Sequence, residues 1–128
     1  MSAARRSGSL VAAGLFAVGA LCPAAAPASG LTAEQAFVAC EGCHSIEVGA
    51  PHGVGPNLNG IADRPAASLV DYPYSPALRE SKLVWNRGTL TGWILMAEHM
   101  VPGTWMLYYN ELEPDEVHRL VDWLLRHR

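Results

Sequence analysis

The sequence predicts an all-α fold: a few short helices joined by long loops and packed around a group that is not protein. Three observations predict it. Near the end of the chain, Val117, Leu120, Val121, Leu124 and Leu125 recur at i, i+3, i+4 and i+7, the spacing of one helix face. No stretch alternates apolar and polar residues over the length of a strand. From Val48 to Tyr74 the chain is rich in Gly, Pro, Asn and Asp, which reads as loops and turns. So much loop in so short a chain leaves too little side chain to fill a core.

The elements begin after a leader. Arg5 and Arg6 precede an uncharged apolar run from Leu10 to Leu21, and small residues come next, with Ala26 and Ala28 in an A-x-A arrangement. That order is the order of a secretory signal peptide. It divides the chain into a leader at 1–28 and a domain at 29–128, and it directs the domain to the periplasm. The competing reading is an uncleaved membrane anchor. A span needs about 20 apolar residues, the run is shorter, and Pro23 and Pro27 interrupt the residues just after it. Beyond residue 28 there are seven basic and twelve acidic side chains, a net charge of −5, and Lys82 is the single lysine. No basic stripe remains, so nucleic acid is excluded as a partner.

The first helix is expected over Ala33–Gly42, with Thr32 as N-cap and Gln35 as its reciprocal partner. Ala36, Phe37 and Cys40 share one face of it. A short helix is expected between Tyr74 and Lys82, with Pro76 near its start. A third begins near Thr89 or Thr91, carries Trp93, Ile94 and Ala97, and ends by Met100, where Pro102 and Gly103 stop it. The last starts at Pro114, where a missing N–H costs little. Glu113, Asp115 and Glu116 suit its positive end, and Arg126, His127 and Arg128 its negative end.

Chemistry concentrates in the first helix. Cys22 belongs to the leader, so the domain keeps Cys40 and Cys43 alone, too few for a disulfide scaffold. Cys40-Glu41-Gly42-Cys43-His44 reads C-x-x-C-H, the attachment motif for a c-type haem. Positions i, i+3 and i+4 of a helical turn lie together. Two thiols there can bond to the two vinyl groups of one haem, and His44 then projects toward the iron. A thioredoxin-like redox pair needs a βαβ context that is missing, and a structural zinc site needs more ligands at close spacing. A second axial ligand has six candidates: Met96, Met100, Met106, His52, His99 and His118. Met106 follows the constrained loop Val101-Pro102-Gly103-Thr104-Trp105, which can present a thioether sideways. Methionine opposite histidine raises the reduction potential.

Cys40–His44, Gly55-Pro56-Asn57-Leu58, Tyr74-Ser75, Trp85 and Val101-Pro102-Gly103-Thr104-Trp105-Met106 occur in order, before an amphipathic last helix carrying Trp123. The whole domain resembles the class I cytochromes c, near the mitochondrial cytochrome c and bacterial cytochrome c2 pattern. The resemblance implies the small cytochrome c fold around a single covalent haem c, with Met106 as distal ligand. It implies that the Pro56 carbonyl orients His44, and that Tyr74 and Trp85 hydrogen-bond a buried haem propionate whose charge Arg64 helps to balance. Thr104 would support the distal loop, and Trp123 would pack between the terminal helices. His52, His99, His118 and His127 are expected in loops or at the surface.

Three departures from that pattern stand out. The ring of lysines is missing and Trp105 takes the place of its lysine before the methionine; Leu78 replaces a polar residue; and Trp93 stands where a tyrosine is common. The function expected is one-electron transfer without catalysis, between redox partner proteins such as a dehydrogenase, an oxidase or a membrane electron-transfer complex. The alternatives are a fixed cytochrome subunit of a periplasmic dehydrogenase, favoured if Trp105, Tyr108 and Tyr109 form an exposed patch, and an open-iron haem enzyme or gas sensor if Met106 does not bind. Docking is expected to use an apolar, aromatic contact at Trp105 in place of the lysine ring, and steering would require a partner of positive charge.

Overall fold

A computed structural model describes residues 30–128, so the expected leader, its cleavage point and Cys22 lie outside the described residues. Four helices occur in order: α1 (Ala33–Glu41), α2 (Pro76–Glu80), α3 (Arg87–Met100) and α4 (Pro114–Leu124). Among the described residues there is no strand; one isolated antiparallel bridge joins Pro65 to Val84. The all-α expectation holds. No helix among the described residues is long and apolar enough to cross a membrane.

Each helix starts where its side chains satisfy the free backbone N–H groups of the first turn. Thr32 Oγ1 accepts from the Gln35 N–H, and Gln35 Oε1 accepts from the Thr32 N–H at 2.8 Å. Ser75 caps α2 through the Leu78 N–H, with Pro76 in the first turn. α3 begins two residues before the earlier of its two expected starts. Asn86 is the cap: its Oδ1 accepts from the Thr89 N–H at 3.1 Å, and Thr89 Oγ1 accepts from the Asn86 N–H at 2.9 Å. Thr89 is therefore the partner inside the helix and not its start. α3 also bends near its end, where Met96 leaves helical geometry (φ −157°, ψ 65°). In α4, Glu116 Oε2 accepts from the Glu113 N–H at 2.9 Å.

α4 packs against both α1 and α3. Its stripe of Val117, Leu120, Val121 and Leu124 is buried against Ala36 and Phe37 of α1 and Leu90, Trp93, Ile94 and Ala97 of α3. Trp123 lies with its ring 5.1 Å from Phe37, between the first and last helices as expected. Arg126, His127 and Arg128 fall beyond the end of α4. His127 nevertheless serves that end: its N–H reaches the Leu124 carbonyl, its Nδ1–H donates to the Trp123 carbonyl at 2.9 Å, and its ring stacks on Trp123.

Loops carry the remainder. Bonds between backbone groups of Asp63–Ala66 and Leu83–Trp85 clamp two of them side by side. After α3, Val101-Pro102-Gly103-Thr104 forms a tight turn closed by the Thr104 N–H on the Val101 carbonyl at 3.1 Å. Gly103 holds φ +87° there, a conformation that favours glycine. That turn launches residues 104–112, which have no regular secondary structure and run back across the domain to α4.

Candidate functional site

The C-x-x-C-H segment sits at the end of α1, where the Cys43 and His44 N–H groups both bond back to the Cys40 carbonyl, at 3.0 and 2.9 Å. The bonds hold the five residues in one turn. Cys40 and Cys43 are free thiols. Cys40 is half-buried, and desolvation, with a smaller push from Cys43 and Glu41, drives its pKa up to about 11. It is a protonated thiol at neutral pH.

His44 is gripped from the next loop. Its Nδ1–H donates to the Pro56 carbonyl at 2.7 Å. A carbonyl can only accept, so Nδ1 carries the proton and Nε2 keeps its lone pair. Burial lowers the pKa of His44, partly offset by that same bond, and favours the neutral ring. Gly55 lies directly beneath: a methyl group there would stand 2.2–2.6 Å from three atoms of the imidazole. Gly55 is thus required by space, and its N–H is fixed on the Cys43 carbonyl at 2.8 Å.

The loop around Pro56 has its own anchors, to which the sequence alone assigns no role. Asn57 is buried, donates through Nδ2 to the Glu47 and Ala50 carbonyls, and accepts from the Asn59 N–H. His52, expected as a loop or surface residue, is half-buried and structural. Its Nδ1 accepts from the Asn57 N–H at 2.9 Å, and its Nε2 faces Asp71 at 3.1 Å. His99 and His118 are exposed as expected.

Met106 is half-buried and its Sδ accepts from the Trp93 indole N–H at 2.9 Å. Trp93 packs edge-on against Trp85 with ring centres 5.2 Å apart. Thr104 is buried, and its Oγ1 accepts from the Met106 N–H at 3.4 Å. The other sulfur candidates look elsewhere. Met96 is more than half exposed, and the Met100 sulfur packs over Gly92.

Arg64 bridges the Asn57 loop and Trp85. Its guanidinium donates to the Asn59 and Asn57 carbonyls, both at 3.0 Å, and its backbone carbonyl accepts from Trp85. Burial lowers the Arg64 pKa, and the neighbouring Tyr74 phenol offsets part of that. Burial in turn raises the pKa of Tyr74. Tyr72 stacks edge-on against both Tyr74 and His52, and its hydroxyl donates to the Val54 carbonyl. Tyr108 is half-buried, and desolvation, with smaller pushes from Cys40 and Glu111, raises its pKa. Hydrogen bonds and ring contacts connect several of the expected site residues in one chain, from His44 through the Pro56 carbonyl to the Asn57 loop, on to Arg64 and Trp85, and through Trp93 to Met106.

The donor chemistry of these residues points to one kind of guest. Among the described residues no three His, Cys, Asp or Glu side chains converge to enclose a metal ion. What is offered is an imidazole nitrogen with a free lone pair, a thioether and two thiols within one turn. That donor set fits an iron macrocycle, which supplies its own equatorial nitrogens and leaves two axial positions to the protein.

Comparisons agree with this chemistry. No family model matches the chain. It is 38% identical over 87 residues to cytochrome c2 of Rhodoblastus acidophilus, covering 66% of this chain and 81% of the relative. It is 33% identical over 92 residues to cytochrome c2 iso-2 of Magnetospirillum molischianum, covering 72% and 94%. Among solved structures it is similar to cytochrome cH from Methylobacterium extorquens, with a TM-score of 0.66 at 34% identity, over 72% of this chain and 92% of the other.

Proposed function

The chain belongs to the class I cytochromes c, electron-transfer proteins and not enzymes, and from that footing we propose a periplasmic carrier that holds a single covalent haem c with His44 and Met106 as axial ligands. The observation that carries this reading is the His44–Pro56 bond inside a C-x-x-C-H turn: it fixes the ring and leaves Nε2 free to bind iron. Haem supplies the one-electron couple, and the chain's residues tune and enclose it. Cys40 and Cys43 provide the two thioether links. Trp93 holds the Met106 thioether in place and draws electron density from its sulfur. Trp85 and Tyr74 would hydrogen-bond a haem propionate, and the Arg64 guanidinium would help to offset its charge. Leu78, buried at 8% exposure, contributes only apolar surface. A filled iron leaves no position for substrate, which separates this reading from an open-iron enzyme or sensor. Residues 1–28 are the export signal, removed after Ala28.

Two measurements on the purified protein test the proposal together. Acid–organic extraction should leave haem on the polypeptide. Met106→Ala should remove the sulfur-to-ferric-iron absorption band and let carbon monoxide bind the ferrous protein. Haem lost wholly to the solvent, or a band that survives the substitution, would overturn the attachment or the ligand respectively. A fixed dehydrogenase subunit is the second reading; of the three residues that would favour it, Trp105 and Tyr109 are exposed, whereas Tyr108 turns inward. Co-elution of the native protein with a larger assembly in gel filtration would decide for it.

A further inference from the structure

Of the six side chains that could serve as a second axial ligand, two lie together with no role yet assigned. His99 Nδ1 is 3.2 Å from the Met96 sulfur, near the end of α3. Both side chains are exposed. Among the described residues Met96 is the one exposed methionine, at 56%, whereas Met100 and Met106 are half-buried. Methionine ordinarily fills gaps in a core, so packing does not explain an exposed thioether set against an imidazole. The backbone is unusual at the same residue. α3 leaves helical geometry at Met96, although residues 93–99 contain no proline, glycine or serine, the usual causes of a kink.

The pair has both the chemistry and the spacing of metal ligands. Bonds from a first-row metal to imidazole nitrogen and to sulfur are about 2.0 and 2.3 Å long, so an ion joined to two atoms 3.2 Å apart subtends an angle of about 95°. Small rotations of two exposed side chains open that angle to the wider one of a three-coordinate ion. Neither donor carries a negative charge. Glu98, between them in sequence, is engaged elsewhere, since its carboxylate accepts from the Gly103 N–H at 3.1 Å. The pair therefore offers one imidazole nitrogen and one soft sulfur. Thioethers select Cu(I), whereas carboxylates and carbonyls select the hard divalent ions.

We propose that Met96 and His99 form a surface binding site for a soft monovalent metal ion, Cu(I). The metal needs the Nδ1 lone pair, so the ring binds as the neutral tautomer with its proton on Nε2. Zn(II) is not the occupant, because it takes more protein ligands and favours thiolate, imidazole and carboxylate. Two protein donors leave the rest of the ion open to solvent or to an exchanging ligand, which suits an ion that is taken up and released. The site is distinct from the proposed axial ligands. Met106 is held by Trp93, which is buried, whereas Met96 and His99 are exposed.

The test uses the ferrous, haem-loaded protein without oxygen, so that Cu(I) has no ferric iron to reduce and no valence changes. Cu(I) is supplied as its acetonitrile complex, and copper and protein are quantified after equilibrium dialysis. One Cu(I) per chain should be retained, and the copper X-ray absorption spectrum should show both sulfur and nitrogen bonded to the metal. Losing a group that merely orients a ligand costs a metal site about 10–100-fold in affinity, so losing a ligand should cost at least about tenfold. Met96→Leu and His99→Gln should each do so and leave the haem spectrum unchanged. His118→Gln, at another exposed histidine, should bind Cu(I) as wild type does, and an equal concentration of Zn(II) should not displace the copper. No retained copper, copper without a bonded sulfur, displacement by Zn(II), or undiminished affinity in either Met96→Leu or His99→Gln overturns the site. A haem spectrum changed by Met96→Leu overturns it as well, by making Met96 a ligand of iron.

Discussion

Gly55→Ala should damage the protein through one contact that can be followed atom by atom. The new methyl group would stand 2.2 Å from His44 Cε1 and 2.6 Å from each ring nitrogen. Neither neighbour can yield cheaply. Gly55 is held by its N–H on the Cys43 carbonyl and by its carbonyl under the Gly53 N–H, and the ring is held by Pro56 at 2.7 Å. Overpacking of this kind costs about 1–3 kcal/mol. Displacing the ring from the Pro56 carbonyl costs about 1 kcal/mol more. Alanine also restricts the unfolded chain, which returns about 0.4–1 kcal/mol. The net loss is about 2 kcal/mol, or about 8–16 °C in Tm for a domain of this size. Thermal unfolding of the ferric protein, followed by far-ultraviolet circular dichroism, measures it. Gly88→Ala is the matched control: Gly88 is in the first turn of α3, and the added methyl would meet only Asn86 Oδ1, at 3.5 Å. It should be neutral or stabilising by up to about 1 kcal/mol. If Gly55→Ala unfolds no earlier than wild type and keeps its haem spectrum, the claim that space beneath His44 demands glycine is refuted.

Two further outcomes rest on the same geometry. Trp93→Phe removes the N–H donor to the Met106 sulfur, so the thioether regains electron density and favours ferric iron; the reduction potential should fall by about 20–40 mV, the equivalent of 0.5–1 kcal/mol in a one-electron couple, as read by redox titration. Glu116 accepts from the Leu31 and Glu113 N–H groups, and those bonds lower its pKa. A carboxyl lowered on folding contributes stability that is present above its unfolded pKa of about 4.3 and is lost as pH falls through the folded value. Glu116→Gln should therefore flatten the fall in stability below about pH 4.3, and a variant whose denaturation midpoint follows pH as steeply as wild type would contradict it.

What the sequence reveals and conceals divides by the range of the interaction. Thr32 with Gln35, and Pro76 after Ser75, lie within one turn, so α1 and α2 can be read from neighbours alone. The C-x-x-C-H turn is equally local, and a motif of five residues carries its own geometry. α3 misleads because Thr89 has two roles open to a threonine at a helix start, and only Asn86 three residues earlier decides between them. His52 lies in a loop as expected, but its bonding is not legible: its partner Asp71 is nineteen positions away, and nothing in the intervening residues announces the pair. The segment 104–112 hides for a different reason. Strand-like alternation is usually sought as apolar-inward and polar-outward. Here Thr104 and Asn110 face inward, toward Met106 and Leu112, while Trp105, Leu107 and Tyr109 face out. Met106, Tyr108 and Leu112 among the less exposed positions are as apolar as Trp105, Leu107 and Tyr109 among the exposed ones, so hydropathy does not distinguish the two sets. What sets the inner polar positions is backbone bonding that hydropathy does not record: Thr104 Oγ1 accepts from the Met106 N–H, and Asn110 donates to the Leu112 carbonyl and accepts from its N–H.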